Sequence, residues 1–283
     1  MHELNGRVAV VTGGASGIGF GLASAFAAEG MKVVIGDIEV PALDDAVAKL
    51  EASGAEVLGV PTDVSDDASV AALAAAAVDR FGAIHVACNN AGVGAGGMSW
   101  DVPLDTWQWV LGVNLWGVIH GIRAFVPILM QQDEAHVVNT ASIAGLVAGP
   151  FMGPYNASKH AVVALSETLH HEMGMLAPHV KVSVLCPGWV RTRIADSQRN
   201  RPTPRAPVAG TENTMLADIL RARIDDAMPP EVLAAKVVDA IRAERFWILP
   251  HDDAEPFWRE FVNGRAQALI DRANPALRTP PPT

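Results

Sequence analysis

Short β-branched runs closed by Gly, Asp or Pro alternate along the chain with longer stretches in which Ala and Leu recur at helical spacing. RVAVVTGG, KVVIGD and AEVLGVPTDV read as strands. GFGLASAFAAEG and PALDDAVAKLEASG, between them, read as helices that end in the Gly common at helix C-termini. The rhythm continues through strand IHVACNN, a helix around TWQWVLGVNLWGVIHGIRAFVPILMQ, strand AHVVNTAS, helix SKHAVVALSETLHHEMG and strand VKVSVLCPG, six strands in all. Such alternation makes the strands parallel, because a parallel pair needs a crossover long enough to hold a helix. The expected fold is α/β, a doubly wound parallel sheet of about seven strands with helices on both faces.

Past Val190 the rhythm stops. RTRIADSQRNRPTPRAPVAGTENTM has no sustained period and reads as a long crossing or lid, so residues 191–230 are the expected substrate lid. PPEVLAAKVVDAIRAE then predicts a helix with Pro in its first turn, and RFWILP a last strand. One domain is expected over residues 1–273, with 274–283, four prolines in ten residues, as a loosely ordered tail.

Half of the 283 residues are apolar and 18% are charged, enough for a buried core. The net charge of −10 disfavours nucleic acid and anionic lipid, which need a basic face, and points to a small-molecule partner. Cys88 and Cys186 lie inside apolar runs, as reduced, packed thiols do. The N-terminus lacks the pattern of a secretory signal, and a cytoplasmic location is expected. No metal is expected: His170-His171-Glu172 lacks the i, i+4 pair of a zinc helix, and His120, His136, His160 and His251 have no partner at ligand spacing.

The chemistry-bearing residues begin directly after the first strand, at Thr12-Gly13-Gly14-Ala15-Ser16-Gly17-Ile18-Gly19. Glycine at 13, 17 and 19 lets the backbone turn tightly and approach a pyrophosphate, and the helix that follows offers unpaired N–H donors and a partial positive charge. The second strand ends at Asp37, where a carboxylate can accept from an adenosine ribose and would repel a 2′-phosphate. Ser16 and Ile38 supply no basic group for that phosphate, so the expected cofactor is NAD. Tyr155 is the only tyrosine, and Lys159 follows one helical turn later on the same face. An ammonium there, with a cationic nicotinamide, would favour phenolate and bring Tyr155 toward working pH as an acid/base.

With these residues in order, the chain resembles the short-chain dehydrogenase/reductase superfamily in its compact TGxxxGxG branch. The resemblance is strong over residues 5–192 and extends to Asn89-Asn90-Ala91-Gly92, Asn114, Ser142, Tyr155-Asn156-Ala157-Ser158-Lys159, Pro187-Gly188 and Thr192. It implies a Rossmann sheet, a homotetramer or homodimer, and hydride transfer between nicotinamide and a secondary alcohol or ketone. By the same resemblance Lys159 also bonds the nicotinamide ribose, Asn114 helps hold the water through which the proton leaves, and Ser142 holds the substrate oxygen. Asp63 and Val64 would bracket the adenine, Asn90, Ala91 and Gly92 would line the cofactor, and Pro187, Gly188, Val190 and Thr192 would close on the nicotinamide.

The segment Val93–Met98 is small and apolar, and Phe151, Met152, Trp189 and Ile194 would add hydrophobic walls, so a bulky apolar alcohol or ketone is expected. Arg193, Arg199 and Arg201 are either solvated lid residues or a carboxylate site. IADSQRNRP and RFWILPHDD are similar to segments of bacterial dehydrogenases of lignin-derived aryl ethers, which puts aryl carbinols beside steroids, terpenoids and acyl-chain alcohols as candidates. An NAD(H)-sensing binding module and an isomerase or dehydratase on the same scaffold remain alternatives.

Overall fold

A computed structural model describes residues 1–202, 223–224, 226–251 and 256–273. Seven strands, β1 (Val8–Thr12), β2 (Lys32–Asp37), β3 (Val57–Pro61), β4 (Val86–Asn89), β5 (Ala135–Thr140), β6 (Val180–Leu185) and β7 (Trp247–Ile248), form one parallel sheet in the order β3-β2-β1-β4-β5-β6-β7. The order reverses between β1 and β4, and a crevice opens there at the C-terminal strand ends, where doubly wound sheets bind ligands.

Alternation along each strand builds two cores. Ala9 and Val11 of β1 face one side and pack with Leu22 and Phe26 of α1 (Gly17–Ala28), Leu43 and Leu50 of α2 (Val40–Ala52) and Leu233 and Val237 of α7 (Pro230–Arg242). Val8 and Val10 face the other and meet Val70 and Leu73 of α3 (Asp67–Phe81), Phe125 and Leu129 of α5 (Gly117–Leu129) and Leu169 of α6 (Gly153–Leu176). Local signals set the helix ends. Asp66 accepts from Ala68 N–H at 3.1 Å as N-cap of α3, and Gly82 closes that helix at φ 82°.

The structure adds detail that periodicity does not carry. The long helix expected from Thr106 is α4 (Leu104–Leu111) and α5 joined through a π-helical turn at Gly112–Trp116, centred on the buried Asn114. A further helix, α8 (Pro256–Ile270), follows β7. β7 spans two residues rather than the whole of RFWILP. Of the expected lid, Ile194–Asn200 forms a 3₁₀ segment, while residues 203–222 and 225 lie outside the described residues, as does the tail 274–283.

Candidate active site

The Gly-rich turn leaves β1 at the crevice. Gly13 has φ 65° and Gly17 φ 52°, left-handed conformations that favour glycine. A Cβ on Gly19 would lie 2.0 Å from Gly13 O and 2.7 Å from Asn90 Nδ2, so turn and helix meet only because no side chain intervenes. Ser16 is the N-cap of α1 yet makes no side-chain cap, which leaves the first-turn N–H groups, including that of Ile18, available to an anion.

Asp37 is buried at the end of β2, its carboxylate accepting from Ala15 N–H and Glu39 N–H at 3.0 Å each, while the adjoining Ile38 is exposed. Asp63 is turned toward its own loop, accepting from Ser65 N–H at 2.9 Å and Oγ at 2.7 Å, and Val64 packs against Gly117 of α5. Thr12, which heads the Gly-rich run but had no role read from the sequence, is a hub. Its hydroxyl accepts from Asn90 N–H at 2.9 Å and Ala91 N–H at 3.1 Å, and its carbonyl accepts from Asn90 Nδ2 at 3.0 Å. Asn90 is thereby a clamp between strand ends. Its position at the head of the fingerprint was the signal that could have marked Thr12.

Across the crevice, the third residue of α6 is Tyr155. Ser142 is the side chain that acts on its phenol, lowering it against the effect of burial, and the Ser142 hydroxyl donates to Pro187 O at 3.3 Å and accepts from Ala144 N–H at 3.1 Å. Lys159 is buried, donates to Thr140 O at 2.8 Å, and holds Nζ 5.7 Å from the centre of the Tyr155 ring. Gly92 borders this space: a methyl there would stand in ordinary contact, 3.5 Å from Asn114 Oδ1 and 3.7 Å from Lys159 Nζ. Asn114 accepts from Val93 N–H at 2.8 Å and donates to Val93 O at 3.0 Å and to Ser158 Oγ at 3.2 Å. Ser158 in turn donates to Tyr155 O at 2.7 Å. The structure thus brings Asn114, Ser142, Tyr155 and Lys159 together beside the crevice, with Ser158 as a link that sequence reasoning had not singled out.

A model of the short chain dehydrogenase family matches residues 7–203. The 1-deoxy-11-beta-hydroxypentalenate dehydrogenase of Streptomyces avermitilis is 42% identical over 258 residues, covering 90% of this chain and 88% of that one. The chain belongs to the short-chain dehydrogenase family. This short-chain dehydrogenase is also 32% identical over 282 residues to the C alpha-dehydrogenase of Sphingobium sp., covering 99% and 90% of the two chains. Its fold superposes with TM-score 0.94 on a Burkholderia phymatum family member in complex with NAD, at 43% identity over 99% of this chain and all of that one.

The electrostatics of this short-chain dehydrogenase add what spacing does not carry. In the protein alone the Tyr155 phenol lies above its ordinary value, because burial raises it more than the Ser142 hydrogen bond lowers it. Lys159 gives way instead, burial holding its ammonium down to about 8. Neither reading of the lid arginines holds for Arg201: its side chain is 5% exposed, pairs with Asp105 at 2.9 Å and stacks over Trp109. Arg199 is engaged by Glu39. A cavity of about 450 Å³ opens between the start of α1, Arg191–Arg193 and the start of α7, beside the Gly-rich turn rather than over Tyr155.

The closing segments meet the crevice from two sides. Pro187 O accepts from Ile143 N–H at 2.9 Å and ties the Ser142 loop to the end of β6. Beyond it lie Gly188 and Val190, the latter buried and bridged to Met228. Thr192 packs its methyl over Gly17. Gly94 N–H donates to Ser197 Oγ at 2.9 Å, which seats the 3₁₀ segment on the loop after β4. Phe151 has φ 62°, a left-handed backbone that bulky residues rarely adopt, and is fixed there by Gly97 N–H on its carbonyl at 2.8 Å.

Proposed function

We propose that this protein is an NAD-dependent dehydrogenase that interconverts a secondary alcohol and a ketone on a bulky, apolar substrate, with Tyr155 as general acid/base. The observation that carries this reading is the joint placement of Tyr155, with Lys159 Nζ 5.7 Å from the centre of its ring, and Asn114, tied to the Tyr155 backbone through Ser158, at the crevice. The uncapped first turn of α1 at Ser16 to Gly19 suits a pyrophosphate. Asp37 would accept from the adenosine ribose, with Ile38, Asp63 and Val64 around the adenine. Asn90, Ala91, Gly92, Lys159 and the stretch Pro187, Gly188, Val190 and Thr192 would enclose the nicotinamide end. The Burkholderia phymatum relative in complex with NAD supports that choice of cofactor.

Bound NAD would supply the hydride acceptor in oxidation and, reduced, the donor in reduction. In oxidation Tyr155, as phenolate, takes the proton from the substrate hydroxyl, and in reduction it returns one to the carbonyl oxygen. Ser142 donates toward that same oxygen and steadies the charge that grows on it. Because burial raises the phenol, ionisation of Tyr155 depends on positive charge brought close to it, and Lys159 is the protein's own source. Asn114, its amide engaged by Val93 and Ser158, keeps the proton's exit in place as a positioning residue.

Residues 191–230 serve as the substrate lid of one domain spanning 1–273. The exposed Trp116 of the π-helical turn and Met175 and Leu176 at the end of α6 suit burial in a homotetramer or homodimer, for which a cytoplasmic location is the reading. The deciding experiment follows NADH formation from NAD over a panel of aryl carbinols, steroids, terpenoids and aliphatic alcohols, for wild type and Tyr155→Phe side by side. Turnover by the wild type that falls at least about a hundredfold in the variant, with NADH binding kept, is the expected result. Equal turnover in both refutes the role of Tyr155, and NAD binding without redox change on any alcohol refutes the dehydrogenase reading.

A further inference from the structure

The sequence offers no base at Ser16 or Ile38, yet the fold brings one to that corner of the crevice. Arg199, from the 3₁₀ segment Ile194–Asn200, places Nε 2.9 Å and Nη2 2.8 Å from Glu39 Oε1. Asn200 Nδ2 donates to the same oxygen at 3.0 Å. Arg199 Nη1 donates to Arg193 O at 3.0 Å and Asp196 O at 3.1 Å, so all three guanidinium nitrogens are engaged. Glu39 lies two residues beyond Asp37, and its N–H donates to Asp37 Oδ1 at 3.0 Å. Guanidinium, Glu39 and the carboxylate proposed to hold the ribose therefore form one row at the C-terminal end of β2. The paired side chains are 23% and 24% exposed. Burial raises the Glu39 carboxyl, but the hydrogen bonds from Arg199 and Asn200 outweigh it and hold the group below its ordinary value, ionised.

The Nε–Nη2 edge of arginine is the planar fork that receives a phosphate bidentately. Here a carboxylate occupies it. We propose that Glu39 is a specificity-determining residue acting through Arg199. By engaging the guanidinium it denies a 2′-phosphate on the adenosine ribose its counter-charge. Preference for NAD over NADP then has two layers, repulsion by Asp37 and sequestration of Arg199 by Glu39. The inference rests on the reading that the crevice holds NAD. It requires the two carboxylates to be coupled: removing Asp37 alone leaves Arg199 engaged, and removing Glu39 alone leaves the repulsion, so only their joint loss exposes a usable phosphate site.

The test reads binding rather than turnover, by titrating NADH and NADPH against tryptophan fluorescence. The proteins are wild type, Asp37→Ala, Glu39→Ala, the double variant, and the double variant carrying Arg199→Ala. The double variant is expected to shift the NADH-to-NADPH affinity ratio toward NADPH by at least about fivefold more than the product of the single shifts, and Arg199→Ala to remove that excess. Glu39→Gln, which drops the charge and keeps an acceptor, takes the place of Glu39→Ala if the latter does not fold. Shifts that simply multiply, or an excess that survives the loss of Arg199, overturn the role of Glu39 while leaving the proposed function standing. A wild type that binds neither dinucleotide overturns both.

Discussion

Replacing Lys159 by methionine removes a buried charge whose ammonium rests on a backbone carbonyl, Thr140 O, at 2.8 Å. Burial moves this group from 10.5 to about 8, a difference worth about 3 kcal/mol at roughly 1.4 kcal/mol per pH unit. Its sign follows from proton counting. Between about 8 and 10.5 the unfolded chain holds a proton that the native chain has released, so wild-type stability rises with pH through that window. Below about 8 both states are protonated and the cost of the buried charge is present in full. Methionine avoids that cost but leaves Thr140 O without its donor, a loss of about 1–3 kcal/mol, so the two proteins are expected to differ little at neutral pH. Their pH dependence separates them. From pH 7 to pH 9.5 the wild type should gain about 2 kcal/mol relative to the Lys159→Met variant, while ionisations common to both proteins cancel. Urea denaturation of both without added cofactor, at several pH values across that range, measures the difference directly. A gap that stays constant with pH would mean that Lys159 is not held as a costly buried cation, and the account of how this site charges Tyr155 would fail with it.

Gly19→Ala puts a Cβ where Gly13 O stands 2.0 Å away, so the turn must move; NADH affinity is expected to fall at least about tenfold and stability by about 1–3 kcal/mol, and unchanged binding in a fluorescence titration would refute the tight-turn argument. His136 sits in the sheet interior with Nε2 on Ser183 Oγ at 2.7 Å, and burial pulls it down to about 3. The unfolded chain therefore takes up a proton below about 6.5 that the native chain refuses, and stability is lost as pH falls from there toward 3. A His136→Asn variant should lose about 2 kcal/mol less than wild type between pH 7 and pH 5, and parallel denaturation profiles would contradict this.

What the sequence made legible was local. The Gly-rich turn, the strand-end Asp37 and the pair Tyr155 and Lys159 each lie within one strand-turn-helix unit or one helical turn, where spacing fixes proximity. The parallel, doubly wound arrangement followed from the same rhythm, because strands joined by helical crossovers pair in parallel. The π turn around Asn114 was not legible, since an extra residue in a helix hardly disturbs the apolar pattern. Nor was α8, where Asn263-Gly264-Arg265 interrupts the periodicity. The contact between Glu39 and Arg199 joins residues 160 apart and depends on a segment with no period at all. The upward push of burial on the Tyr155 phenol was not legible either, because proximity to a cation can be read from spacing, whereas depth cannot.

That Tyr155 is the chain's single tyrosine has a spectroscopic consequence. Phenol and phenolate absorb differently in the near ultraviolet, and tryptophan does not ionise in the same range. An alkaline absorbance titration of the intact, unlabelled enzyme therefore follows one oxygen, the one assigned the proton transfer. Unfolding returns that oxygen to an ordinary phenol and calibrates the curve. Repeating the titration with dinucleotide bound reads, as a displacement of one midpoint, how far the nicotinamide's charge works against the burial that holds Tyr155 neutral.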